Sequence, residues 1–221
     1  YLPVFLFFLN FAILTYFPAL GFPLTEPRNY FFANLLYMTV NFAVMLLIFR
    51  RTLWQSLREF EGKMLLSVLI GFGMCYGANL VLTTAYTVLD IMPENYNQEA
   101  VNSLLGGYPL AMTLCTVVLA PLAEECLFRG VLFAPLARRC LPAAYALSMF
   151  LFAGMHVFQF LGSMTAANTI LCLSLYLPAS FSLCWVYQKT GNIWACIFLH
   201  MFINFQSVLA SLLRSLMQAF L

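Results

Sequence analysis

Charge is what this sequence has least of. Ten basic and eight acidic side chains are spread over 221 residues, 8% of the chain against 63% hydrophobic, where a soluble domain carries about 25% charged residues. So few charges cannot cover a water-soluble globule of this size. The formal net charge of +2 is too small for a nucleic-acid surface, so no nucleic-acid partner is expected. Strict apolar–polar alternation, the mark of a membrane β-barrel, is missing, and the apolar runs are long and unbroken. Also missing are any Asn-x-Ser/Thr sequon, any internal repeat and any CxxC pair among Cys75, Cys115, Cys126, Cys140, Cys172, Cys184 and Cys196. These cysteines sit in apolar runs and read as small packing residues rather than redox or metal groups. What remains is an all-α polytopic transmembrane bundle whose first partner is the lipid bilayer. The chain starts at Tyr1 rather than Met, so a short N-terminal piece is expected to precede it.

About 20 apolar residues cross a bilayer as a helix, and seven stretches qualify: 3–20, 30–49, 64–89, 109–134, 142–161, 167–187 and 193–213. Turn-forming residues separate them, among them Gly21, Pro23 and Pro27, then Pro93 to Gly107, then Gly191 and Asn192. Connector 50–63 carries Arg50, Arg51, Arg58 and Lys63, connector 135–141 carries Arg138 and Arg139, and connector 188–192 carries Lys189. Alternating spans put all three on one side. Connector 90–108, on the other side, has Asp90, Glu94 and Glu99 and no basic residue; it reads as a solvent loop. The basic side is expected to be cytoplasmic, with the N-terminus on it. Gly71, Gly73 and Gly77 cluster inside one span, where Gly73 and Gly77 are expected to serve close helix packing. The arginines of connector 50–63 need no role beyond setting topology.

Ionisable groups inside a bilayer cost several kcal/mol each and are functional by default. Glu124, Glu125 and Arg129 fall inside the fourth span; His156 and His200, the chain's two histidines, fall inside the fifth and seventh. At ~1.5 Å per residue, Glu124, His156 and His200 lie ~15, ~21 and ~12 Å from the basic side, so all three can share one layer. Glu125 and Arg129 are four apart and can pair. Glu124, about 100° away around the helix, faces elsewhere and has no partner in its own span. A desolvated carboxylate is a useful general base near neutral pH. Phe152 lies one turn from His156. His200 and Asn204, also one turn apart, offer two donors for an oxyanion. Pro121 can kink the helix just before Glu124 and open a cavity. This constellation fits a metal site, a metal-free hydrolase or a proton path, and the residues alone do not choose among them.

Three ordered motifs do choose. Glu124-Glu125-Cys126-Leu127-Phe128-Arg129 is an EExxxR, Phe152 to His156 an FxxxH, and His200 to Asn204 an HxxxN. The set resembles the CPBP family, the CAAX prenyl endopeptidases and their bacterial relatives linked to bacteriocin processing and immunity. The resemblance covers about residues 105–215, a protease core whose cavity the last four spans would form, with residues 1–104 as about three N-terminal spans. It implies an intramembrane glutamate endopeptidase. In that scheme Glu124 and His156 activate a water, His200 and Asn204 form the oxyanion hole, and Glu125, Arg129 and Phe152 shape the cavity. The implied substrate is a membrane-associated peptide, prenylated at a CAAX tail or a bacterial leader or pheromone. No HExxH is present, and the resemblance favours a metal-free mechanism, with no cofactor, over zinc held by Glu124, His156 and His200. A non-catalytic immunity or assembly protein is the alternative. The lack of sequons and the short Met- and Phe-rich chain point to a bacterial cell membrane.

Overall fold

The computed structural model describes residues 12, 13 and 15–220, and the described chain is helical with no strand. Seven helices organise it: α1 (Pro27–Arg58), α2 (Met64–Val88), α3 (Tyr96–Gly107), α4 (Pro109–Ala137), α5 (Leu141–Val157, continued by a 3₁₀ turn over Phe158–Ser163), α6 (Ala166–Thr190) and α7 (Ile193–Ala219). Six of them, all but α3, are long and apolar enough to cross a membrane. They coincide with six of the seven expected spans. The first, 3–20, lies largely outside the described residues.

The boundaries follow the local chemistry. Pro27 and Pro109 open α1 and α4 at first-turn positions, where a missing N–H costs nothing. Gly191 closes α6 at φ 62°, a left-handed conformation that suits glycine. Asn192 then caps α7, its side chain accepting from the N–H groups of Trp194 and Ala195. The same asparagine donates to the Ser56 carbonyl at 2.7 Å, and Trp194 Nε1 donates to the Leu53 carbonyl at 2.7 Å. The α6–α7 turn is thereby fastened to the end of α1. At the opposite end Phe31 stacks on Tyr108, with ring centroids 3.8 Å apart. α1 therefore runs alongside α4, and Met45 and Leu53 pack with Leu122, Ala123 and Cys126.

Two segments depart from the sequence reading. α1 continues through Arg50 and Arg51 to Arg58, because nothing between residues 49 and 58 is a helix breaker. The acidic connector is not a plain loop: it contains α3, begun by the Asn95 side chain accepting from Gln98 N–H.

The glycines correct a third expectation. A Cβ on Gly73 or Gly77 would meet nothing within 4 Å, so neither packs a helix closely among the described residues. Gly71 does. A Cβ there would lie 2.6 Å from Val186 Cγ2 and 2.9 Å from Leu199 Cδ2, and a β-branched valine in a helix has little freedom to turn away. Gly71→Ala should therefore lower the melting temperature of the detergent-solubilised protein. Gly73→Ala should leave it unchanged or raise it slightly, since alanine is the better helix former by about 1 kcal/mol. Equal melting curves for the two variants would refute this assignment.

Candidate active site

α4 is a helix of alternating pitch. Its residues Cys115–Leu119 and Cys126–Phe133 are π-helical, and the α-helical turn Ala120–Glu125 between them carries both glutamates. Each wide segment ends two residues before a proline. Ala120 N–H reaches back five residues to the Cys115 carbonyl, and Ala134 N–H five residues to that of Arg129. Pro121 and Pro135 come next and have no N–H to give. In the five-residue register Pro121 would have served the Thr116 carbonyl. That carbonyl is taken instead by Asn204 Nδ2 at 2.8 Å, from α7. Pro121 thus contributes more than a kink: it leaves an acceptor that ties α7 to α4 beside the glutamates. Interruptions of this kind survive in a membrane only where another group satisfies the backbone.

The charged residues form one connected cluster. Glu125 and Arg129 are both fully buried and paired, Arg129 Nη1 donating to Glu125 Oε1 at 3.2 Å. Arg129 Nη2 donates to the Ser180 carbonyl of α6 at 3.1 Å, and its guanidinium lies 5.2 Å from the Phe152 ring centroid. Glu125 Oε1 also accepts from His200 Nδ1 at 2.8 Å. Glu125 is therefore not only the partner of Arg129; it orients an imidazole 75 residues away. The other nitrogen, His200 Nε2, stands 3.8 Å from Glu124 Oε2. That carboxylate oxygen is buried and has no hydrogen-bond partner, although the Glu124 side chain as a whole is 19% exposed.

His156 approaches from α5. Its Nδ1 bonds the Phe152 carbonyl at 2.8 Å; a carbonyl only accepts, so Nδ1 carries the proton and Nε2 is the free acceptor. The Phe152 ring lies 4.9 Å from the His156 ring and 5.6 Å from that of His200, in contact with both imidazoles. Glu124 is near enough for its charge to act on His156. Glu124, Glu125, Arg129, Phe152, His156 and His200 thus meet in one layer of the bundle. Asn204 stands beside them and spends one of its two amide N–H groups on Thr116. Among the described residues no group of three His, Cys, Asp or Glu side chains is placed to hold a metal ion.

The sequence gives no warning of several contacts. Nothing marks Ser180 as the anchor for Arg129, or Thr116 as the partner of Asn204. Tyr176, whose ring stacks on His156 at 4.5 Å and 22°, is one aromatic among many. Proline spacing offers the one usable clue, but a regular α-helix would free the carbonyl four residues back, Val117, rather than Thr116.

Residues 106–206 match the family model described as Type II CAAX prenyl endopeptidase Rce1-like, and the three motifs all fall inside that stretch. Over 166 residues the chain is 28% identical to a Bacillus subtilis (strain 168) protein described as "Putative membrane peptidase YdiL". That match takes in 73% of this chain and 64% of the relative, so the chain spans less than two thirds of the relative's length. No solved structure matches. With six membrane-length helices, the chain is an integral multi-pass membrane protein.

Arg129 is the group whose loss should be felt most. Arg129→Met leaves the buried Glu125 carboxylate with His200 alone on Oε1, and breaking a buried ion pair in this way costs about 3–5 kcal/mol. The melting temperature in detergent should fall sharply, and a second change, Glu125→Gln, should recover part of the loss. An unchanged melting curve for Arg129→Met would contradict the pairing.

Proposed function

We propose, on the match of residues 106–206 to the Rce1-like family model, that the chain is a CPBP-type intramembrane endopeptidase that hydrolyses a peptide bond with a glutamate-activated water. The observation that carries this reading is Glu124 Oε2, a buried carboxylate oxygen with no hydrogen-bond partner beside two imidazoles. Glu125 Oε2 is likewise without a partner, but Glu125 is engaged by Arg129 and His200 through Oε1, whereas Glu124 accepts no hydrogen bond among the described residues and is left to accept from a water.

In this mechanism a water sits between Glu124 and His156 Nε2. Glu124 takes one of its protons as the water oxygen bonds to the scissile carbonyl carbon. The developing oxyanion is met by Nε2–H of His200 and the second amide N–H of Asn204. Collapse of the tetrahedral intermediate breaks the C–N bond, and Glu124 returns the proton to the leaving amine. His200 donates at Nε2 only when both ring nitrogens are protonated, because Nδ1–H is already given to Glu125. An imidazolium at His200 would balance the cluster: two carboxylates, Glu124 and Glu125, against Arg129 and His200. No step requires a metal.

The substrate is a peptide reaching the site from the bilayer. The family description names a CAAX prenyl endopeptidase and the relative's name a membrane peptidase; both support a membrane-associated peptide, lipidated or plain. The end bearing Arg50, Arg51, Arg58, Arg138, Arg139 and Lys189 is taken as cytoplasmic on charge grounds, which places the N-terminus on the same side when 3–20 also spans.

Purified protein in liposomes, given quenched-fluorescent peptides with and without a farnesyl group, tests the reading. Wild type should cleave at least one class, and Glu124→Gln should lower kcat by about 10²-fold or more with an unchanged melting curve. A zinc chelator should not matter. Full activity in Glu124→Gln, or chelator loss that zinc restores, would overturn the mechanism.

A further inference from the structure

Tyr176 is a half-buried residue of α6 that none of the three motifs includes. Its ring lies parallel to that of His156, 4.5 Å away at 22°. Phe152 stands at 4.9 Å from the same imidazole, and the Phe152 carbonyl holds its Nδ1. Backbone, phenyl ring and phenol ring together leave the His156 ring one orientation, with Nε2 free.

What fixes Tyr176 is the connector between α2 and α4. Tyr176 OH donates to Asn95 Oδ1 at 3.0 Å and accepts from Asn97 Nδ2 at 3.2 Å. The chain before Asn95 is stitched down the same face of α6. Glu94 N–H donates to Asn168 Oδ1 at 2.9 Å, Asn168 Nδ2 donates to the Glu94 carbonyl at 3.0 Å, and Cys172 Sγ also reaches that carbonyl, at 3.2 Å. Asn168, Cys172 and Tyr176 are successive turns of one helix face. Tyr176 lies ten residues into α6, about 15 Å along its axis, so residues 94–97 follow that face inward to the ring that touches His156. Asn95 Oδ1 also caps α3 through Gln98 N–H, so the start of α3 and the hold on Tyr176 share one oxygen.

We propose that Tyr176 is a positioning residue for His156, and that the 94–97 strap, through Asn95 and Asn97, clamps Tyr176 in place. The imidazole plane is set from outside the matched segment by a connector whose side chains touch neither carboxylate. The kinetic consequence rests on the endopeptidase reading; the position of the ring does not.

Two readouts separate these. The chain has two histidines, so carbethoxylation by diethyl pyrocarbonate, followed by peptide mass spectrometry, gives the labelling rate of His156 relative to His200 in the folded protein. Tyr176→Leu removes the stack and should raise that ratio several-fold. Tyr176→Phe keeps the ring but gives up both hydrogen bonds to the strap, so it should fall between wild type and Tyr176→Leu, while Asn97→Ala, which loses one of the two, should lie nearer wild type. A misfolded variant would label both histidines and leave the ratio near one. In the peptide assay Tyr176→Leu should lower kcat by about tenfold to a hundredfold with little change in KM, and Tyr176→Phe, which keeps the stack but not the clamp, should lose less. A wild-type labelling ratio in Tyr176→Leu would overturn the proposal whatever the kinetics. Altered labelling with no cleavage by wild type would uphold the positioning and count against the peptidase.

Discussion

A single carboxylate oxygen, Glu125 Oε1, accepts from Arg129 at 3.2 Å and from His200 at 2.8 Å, and most of the inner bundle depends on it. Both charged partners on α4 are fully buried, where an unpaired charge would cost far more than a membrane helix recovers by packing. Arg129 extends the contact to α6 through the Ser180 carbonyl, and His200 extends it to α7. One ion pair formed within a helix turn thus fixes the mutual placement of three helices.

The backbone of α4 makes the arrangement possible. Two π-helical stretches bracket the glutamates, and each gives way to tighter pitch at a proline. Since proline asks for no acceptor, the register resets where no N–H has to be relocated. The leftover carbonyl of Thr116 is then met by Asn204. Asn204 serves the fold with one amide N–H before any chemistry, and the proposed oxyanion role draws on the other. Residues of this kind combine stability and catalysis, so loss of activity on their removal does not by itself establish a chemical role.

Much of this was legible in the sequence, for specific reasons. Membrane spans follow from apolar run length, and six appear as helices within a few residues of expectation at most ends. The Glu125–Arg129 pair follows from helical spacing alone. Contacts between helices do not: no local rule joins Glu125 to His200 across 75 residues, or Asn95 to Tyr176 across 81. Gly73 and Gly77 show how a pattern misleads. Spacing suited to close packing says nothing about which face meets a neighbour, and Gly71, two residues earlier, is the one pressed against Val186. The acidic connector read as a loop because Pro93 and its polar residues dominate its start; the α3 signal, Asn95 as N-cap, is short.

In the proposed mechanism the two histidines differ in protonation state, and ¹⁵N NMR of the side-chain nitrogens reads both directly. With histidine-labelled protein in micelles at neutral pH, and Glu125→Gln as the assignment variant, His156 should be neutral with its proton on Nδ1 and a bare Nε2. His200 should carry protons on both nitrogens and lose one when Glu125 is replaced. Two neutral imidazoles, unaffected by Glu125→Gln, would contradict the division of labour on which the proposed hydrolysis rests.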